Sequence, residues 1–348
     1  MTVTNVASRS DNGCQSRVRL SYRQHVSRLF QLKAEQEPSS SSSTLPKVLV
    51  GGGTGFVGGV LCQSLRQKGY SVTVISRSEG ASRLTWDELK AQGLPENTKA
   101  VVNLAGQNIL ATFTFWTESF QRLVRDSRIQ TSLAIAEAIQ KSPKHKRPDV
   151  FVQITGVGYY QFGTTEAQDE YTPGVNKDFF ARLVADWEAA AKLPSDCDDV
   201  RQVYIRSGVV LGRQGGMVQQ LFWPFFFGVG GRTGSGDQVF PWIHVKDLVG
   251  VIEHCIENPK VKGVLNGVAP EVITNLDFAQ AFAGALNRPC FFPTPGFLMK
   301  MVFGSERASM ILGSMKVVPT RTIETGYVFK YGTIREAAKE FSVVSHSG

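Results

Sequence analysis

Residues 47–77 read as strand, glycine-punctuated turn, helix and second strand, an order that few folds accommodate within about 30 residues. Val48 to Val50 give a short buried strand, and Gly52, Gly55 and Gly58 recur at every third position. Val60, Leu61 and Leu65 then keep helical spacing, Gly69 supplies a C-terminal stop, and Val72, Val74 and Ile75 form the next strand. The segment predicts a βαβ unit that binds a dinucleotide.

Each glycine has a separate physical task. Gly52 allows a sharp reversal, Gly55 lacks the Cβ that would hold the backbone away from a pyrophosphate, and Gly58 lets the helix lie close to the strand. Gly55, Phe56, Val57 and Gly58 open the helix, whose unpaired N–H groups and dipole favour phosphate. The second strand ends in Ser76-Arg77, where an acidic residue would grip a ribose 2′-hydroxyl. A guanidinium there suits a 2′-phosphate, with the Ser76 hydroxyl adding a contact, so the expected cofactor is NADP rather than NAD. The competing reading is that Arg77 is an ordinary surface arginine.

Composition narrows the class. A chain of 348 residues with 42% apolar and 20% charged residues has room for one large α/β domain and a smaller appendage. The longest apolar run, Leu221 to Val229, is far short of the about 20 residues that span a bilayer, so no membrane insertion is expected. Five scattered cysteines without Cys-x-x-Cys spacing, and histidines without an i, i+4 pair, predict no metal site. The net charge of +8 suits an anionic cofactor or substrate. The one dense basic cluster, Lys141 to Arg147, lies beside prolines and reads as a solvated loop, so no nucleic-acid partner is expected.

Residues 1–46 precede the fold and end in the low-complexity run Pro38 to Ser43. Between Arg17 and Leu32 there is no acid, and Val18, Tyr22, Val26, Leu29 and Phe30 keep helical spacing among arginines. A mitochondrial presequence has this character; a disordered extension on a cytoplasmic protein is the alternative.

Beyond the first unit, strand-like and helix-like segments alternate, which predicts a Rossmann-type α/β fold with a doubly wound parallel sheet. Ala100 to Gly106, Val150 to Thr155 and Gln202 to Leu211 read as strands. Phe120 to Lys141 and Phe179 to Lys192 read as helices, the first turning Leu123, Val124, Ile129, Leu133, Ile135, Ala136 and Ile139 to the core. The expected division is a leader at 1–46, a nucleotide-binding domain at 47–260 and a small C-terminal α/β domain on the substrate side at 261–348.

These segments carry a family resemblance. The glycine turn, Asn103-Leu-Ala-Gly106, Arg206-Ser-Gly-Val-Val-Leu-Gly212 and Pro241-Trp-Ile-His-Val-Lys-Asp247 resemble the extended or atypical short-chain dehydrogenase/reductase superfamily. Within it they are similar to the NAD(P)-dependent epimerase family branch, and Ser314 to Arg321 with Thr325 to Phe329 resemble the small C-terminal domain of its animal members. The resemblance covers about residues 47–341. It implies that Leu104, Ala105 and Gly106 lie against the adenosine ribose and phosphates, that Arg128 reaches the cofactor, and that Val209 and Val210 border the nicotinamide.

The family's chemistry carries over only in part. Its hydride-transferring members use Tyr-x-x-x-Lys, the ammonium lowering the phenol pKa for proton exchange. Thr155 fits the hydroxyl that orients the substrate oxygen, but the aligned pair positions hold Phe180 and Val184. Tyr159 or Tyr160, with Lys177, could replace the pair, or the tyrosines could be wall residues. His244 is expected in a structural turn near the cleft. The run Leu221-Phe-Trp-Pro-Phe-Phe-Phe-Gly-Val-Gly-Gly231 reads either as the wall and hinge of an apolar pocket or as core. Three functions stay open: an NADP-dependent oxidoreductase acting on an unidentified small carbonyl or alcohol, a catalytically silent NADP-binding sensor or scaffold, and a nucleotide-sugar epimerase.

Overall fold

In the computed structural model, which describes residues 45–110, 114–164, 166–175 and 178–342, the glycine-rich segment folds as its spacing predicts. The expected leader, but for its last two residues, and Lys177 lie outside the described residues. Strand β1 (Lys47–Gly51) leads through the turn into helix α1 (Phe56–Gln67) and strand β2 (Ser71–Ser76). Short β3 (Arg83–Thr85) and α2 (Trp86–Gln92) come after it, the helix fixed at its start by a reciprocal capping box between Thr85 and Glu88. Next are β4 (Thr98–Asn103), α3 (Glu118–Lys141), β5 (Val150–Gly156), α4 (Phe179–Ala191) and β6 (Arg201–Ser207). The chain continues through β7 (Val209–Leu211), α5 (Gly216–Phe226), β8 (Val239–Phe240), β9 (Trp242–His244), α6 (Val245–Glu257) and β10 (Gly263–Gly267). It closes with β11 (Ile273–Thr274), α7 (Asn275–Ala285), α8 (Gly296–Phe303), α9 (Ser305–Leu312), α10 (Thr320–Glu324) and α11 (Ile334–Ser342).

Seven strands pair in parallel in the order β10-β6-β5-β4-β1-β2-β3. Val48, Val50, Ala100, Val102, Val150 and Val152 are fully buried on one face of the sheet, beneath Leu61 and Leu65 of α1 and Leu248, Val251 and Ile252 of α6. Leu49, Val101 and Phe151 meet Leu89, Ile135, Ile139 and Ala191 on the other. Burial on both faces explains why these strands are continuous apolar runs rather than alternating ones. Strand order reverses between β1 and β4, which opens a crevice at their carboxyl ends where such sheets take ligands.

Three expectations need correction. Leu123 and Leu133 are exposed, because the buried stripe of α3 runs through Val124, Arg128, Ser132, Ile135 and Ile139 and leaves those leucines on the far side of the helical wheel. The strand expected at 202–211 breaks at Gly208, where a Cβ would meet the Pro241 carbonyl oxygen at 2.8 Å. Its second half, β7, leaves the main sheet to pair with β9. Finally, β10, beyond the expected boundary at 260, is the outer strand of the main sheet. Among the described residues after β10 the chain is mostly helical, its strand pairing limited to β11 with β8 and single bridges. A second apolar core there joins Phe222, Phe225, Trp242, Phe278, Phe282 and Phe341. By their contacts the described residues from Leu45 onward form one compact unit.

Candidate active site

The crevice is built on backbone proximity. Gly52 adopts φ +75°, and a Cβ on it would sit 2.9 Å from the Ala105 nitrogen and the Leu104 carbonyl oxygen. The turn therefore lies directly on the segment after β4. Leu104 N–H continues the ladder to the Gly51 carbonyl at 2.9 Å, and Ala105 N–H turns back onto Asn103 Oδ1 at 3.1 Å. Gly55 caps α1 without a side-chain hydrogen bond, and no acid occupies the helix's first turn. Its N–H groups are thus left for an anion. Phe56 turns away from the crevice and packs against Gly212 and Gly215, so it anchors the turn to the end of β7, while Val57 packs on the sheet core.

At the end of β2, Arg77 is exposed and forms no hydrogen bond or ion pair with a described residue. Ser76 is less free: its hydroxyl donates to the Ser78 carbonyl, holding the loop in a tight local turn.

Arg128 is the most informative side chain of the site. It is 8% exposed, it lies against Gly106, where a Cβ would be 3.2 Å from its Cζ, and its guanidinium stands 5.0 Å from the Trp187 ring. Nη1 donates to the Val124 carbonyl at 2.9 Å, Nε has no partner, and no described carboxylate pairs with it. Burial alone lowers its pKa to about 10, so it still carries its charge at neutral pH. A buried cation without a counter-charge is costly unless an anion completes it. Together with the uncapped helix and the close backbone at Gly52 and Gly106, this fits a dinucleotide.

A cleft of about 420 Å³ continues from Arg128 along α4, where Phe180, Leu183, Val184 and Trp187 share one helical face. Val157, Val209, Leu221, Phe225 and Met310 are among the other apolar residues that line it. Val210 does not; it packs on the sheet core instead. The positions aligned with the family's tyrosine and lysine do face the cleft, but as Phe180 and Val184. Among the described lining residues Arg128 is the one ionisable group.

The three catalytic candidates are not brought to this cleft. Thr155 Oγ1 donates to Glu188 Oε1 at 3.2 Å. Glu188 is itself held by Arg206 through two hydrogen bonds of 2.8 Å. Tyr160 is fully buried; its hydroxyl donates to Asn266 Oδ1 at 2.8 Å and accepts from Arg206 Nη1 at 3.2 Å, and burial pushes its pKa up to about 12. A phenol sealed from the cleft, with its hydroxyl already engaged by Asn266 and Arg206, does not reach a substrate there, unlike the role expected of Tyr160. Tyr159 lies with its ring 3.3 Å from the Arg206 guanidinium, a wall residue of the same cluster. Burial works against the charge on Arg206, but the Glu188 hydrogen bonds outweigh it and raise its pKa. His244, also fully buried, accepts from Lys246 N–H at 3.2 Å to cap α6 and meets Glu340 at 3.0 Å.

Sequence reading missed the polar layer beneath the crevice. Asn103 Nδ2 donates to Gln153 Oε1 at 3.0 Å and to Ser132 Oγ at 3.2 Å, and Trp187 Nε1 donates to the same Ser132 oxygen at 3.1 Å. A signal was present: Gln153 interrupts an otherwise apolar buried strand, and a buried amide requires partners. Ser207, Met310 and Ile311 were also missed as cleft residues. The aromatic run divides between both of its readings, with Phe222 in the core, Phe225 in core and cleft wall, and Trp223 and Phe227 exposed.

Fold and site together define a dinucleotide-binding protein of the Rossmann type, and comparison with known proteins narrows the class. Residues 48–195 match the NAD dependent epimerase/dehydratase family, and residues 294–341 match a domain of unknown function (DUF1731). The chain is 50% identical over 294 residues to the human epimerase family protein SDR39U1, covering 84% of this chain and 99% of that one. It is 36% identical over 313 residues to the chloroplastic SDR39U1 homolog of Arabidopsis thaliana, 86% of this chain and 88% of that one. Among solved structures, the human SDR39U1 protein (isoform 2), crystallised with NADPH, superposes with a TM-score of 0.82 at 50% identity over 85% of this chain and 99% of that one. A nucleoside-diphosphate sugar epimerase from Corynebacterium glutamicum gives 0.66 at 25% identity, covering 86% of this chain and 59% of that one. The chain belongs to the NAD dependent epimerase/dehydratase family, among its SDR39U1-like epimerase family proteins.

Proposed function

We propose that this chain binds NADP(H) and passes hydride between it and an apolar, conjugated carbonyl compound. The cofactor half rests on the human relative solved with NADPH, on the exposed Arg77 and on the buried, uncompensated Arg128. The glycine turn and the start of α1 would hold the pyrophosphate, Arg77 the 2′-phosphate, and Arg128 the negative charge next to Gly106.

The lining of the cleft carries the substrate half. When bound, the reduced nicotinamide supplies a hydride, a hydrogen with its electron pair. Addition of that hydride leaves an anion on the substrate, and the described cleft residues offer hydroxyl and amide groups from Ser207, Thr233, Thr294, Gln238 and Asn275 but no acid. A simple alkoxide is too basic to form without a proton donor. A conjugated substrate avoids this, since an anion of phenolate type is stable near a pKa of about 10 and takes its proton from water. Most of the lining besides those five side chains is apolar, which favours an apolar compound over a heavily hydroxylated sugar.

The second reading is a catalytically silent NADP(H) sensor or scaffold, favoured by the replacement of the proton-relay pair by Phe180 and Val184. Single-turnover oxidation of bound NADPH against quinones, enones and simple ketones separates the two. Turnover of the conjugated compounds alone supports the first reading, and cofactor binding without turnover of any class supports the second. Import into mitochondria, resting on the arginine-rich pattern at Arg17 to Leu32, is part of the same proposal and is read from the location of a 1–46 reporter fusion.

A further inference from the structure

Two segments run side by side at the mouth of the cleft. Arg288 Nε donates to the Phe226 carbonyl at 2.7 Å, Thr294 N–H to the Arg232 carbonyl at 2.8 Å, and Gly234 N–H to the Thr294 carbonyl at 2.9 Å. Together they expose Trp223, Phe227, Phe291, Phe292, Phe297 and Met301, with Phe291 81% and Phe227 70% accessible. Helix α8 has no buried residue, and Phe297 and Met301 stand one turn apart on its open side. Val229 is both exposed and part of the cleft wall, so this apolar surface is continuous with the interior. Single exposed apolar side chains are ordinary, whereas a contiguous set at a pocket mouth marks an interaction surface.

The charge of the rim indicates what it meets. Residues 213–236 contain Arg213 and Arg232 but no Asp or Glu, and residues 278–305 contain Arg288 and Lys300 but no Asp or Glu. Arg232, Arg288 and Lys300 are exposed. The flanking acids are Asp237, Asp277 and Glu306; Asp277 is held in a capping box with Thr274, and Glu306 is engaged by Trp116 and Gln121. Aromatic side chains mixed with cations alone are the chemistry of a surface that lies in a lipid interface, where rings enter the headgroup region and cations meet anionic lipid. A second copy of the chain fits less well, because a two-fold contact would set like charges against each other.

We propose that this rim docks on the surface of an anionic lipid bilayer and seats the mouth of the cleft against the lipid. No described helix is long and apolar enough to cross a membrane, so the contact is interfacial. The inference stands apart from the hydride-transfer reading.

Co-sedimentation of the full chain with vesicles of phosphatidylcholine, and of phosphatidylcholine with phosphatidylglycerol, tests it. Two double variants, Phe291→Ser with Phe297→Ser and Arg288→Glu with Lys300→Glu, report on the rim, and NADPH-induced thermal stabilisation reports on the fold. The expected result is sedimentation with the anionic vesicles, at least about tenfold weaker partitioning for each variant, and unchanged stabilisation by NADPH. Any of three results overturns the proposal: no binding by the unaltered chain, binding that the variants retain in full, or rim-dependent self-association in place of vesicle binding. Absent NADPH stabilisation in every protein counts against the cofactor reading alone and leaves the vesicle result standing.

Discussion

A Cβ placed on Gly58 would lie 2.3 Å from the carbonyl oxygen of Gly52. Helix α1 thus rests directly on the turn that precedes it, and the contact is backbone on backbone, which no rotamer change can relieve. Gly58→Ala should destabilise the protein by about 1–3 kcal/mol and weaken NADPH binding as the turn opens. The neighbouring Gly59 has nothing within 4 Å of its Cβ position, so Gly59→Ala should be neutral or stabilise by up to about 1 kcal/mol. Urea denaturation of the pair reads the contrast.

Arg77 is exposed at the end of β2 and has no described partner, so its removal should leave the apo fold unchanged. Replacement by Glu places a carboxylate where a 2′-phosphate would sit. NADPH affinity should fall by at least about a hundredfold while NADH affinity changes little or rises. Isothermal titration with both cofactors decides this, and equal losses for the two would show that Arg77 does not read the phosphate.

Arg128→Met should move two observables in opposite directions. Removing a buried charge without a counter-ion is neutral or stabilising by about 1–4 kcal/mol, so the apo melting temperature should hold or rise. The additional stabilisation produced by NADPH should shrink. A residue that merely packed against Trp187 would lower both.

The Glu188–Arg206 pair is a structural clamp, with side chains 15% and 4% exposed. Glu188→Ala leaves the guanidinium buried and unpaired and should cost about 3–5 kcal/mol. Tyr160→Phe removes one hydroxyl from the same cluster, should cost about 1–2 kcal/mol and should leave turnover of any substrate found unchanged. Loss of activity without loss of stability would restore Tyr160 as a candidate proton donor.

Acid should loosen the C-terminal helix. The hydrogen bond from His244, aided by Lys246, holds the Glu340 carboxyl at a pKa of about 2, against 4.5 ordinarily. A folded-state pKa below the unfolded value gives stability that is complete above pH 4.5 and is lost as pH falls toward about 2. Glu340→Gln should lower stability at neutral pH and flatten the decline across that window, as read by denaturation midpoints at successive pH values.

Local spacing was enough to read the first βαβ unit, the buried strands at β4 and β5, and helices α3 and α4. Each of these is fixed by short-range geometry: a left-handed turn that needs glycine, a period near 3.6, or an apolar run too short for anything but a parallel strand. The lost Tyr-x-x-x-Lys pair was legible through the family resemblance, which aligns the pair with Phe180 and Val184, one turn apart on a single helix.

Where side chains meet across distant segments, the sequence was silent. Tyr160 is disqualified as a donor by Asn266 and Arg206, 106 and 46 residues away. Arg128 becomes the site's charged group because no described carboxylate is folded against it, a fact about the environment and not about the residue. The aromatic run Leu221 to Gly231 read as core or pocket until residues 288–294 were seen laid beside Phe226 and Arg232. Local pattern was sufficient for which short segments could form and where a dinucleotide's phosphates would meet backbone. Which polar groups were already satisfied and which faces stayed open emerged with the packed fold, because burial and partnership are properties of packed neighbours that no local pattern encodes.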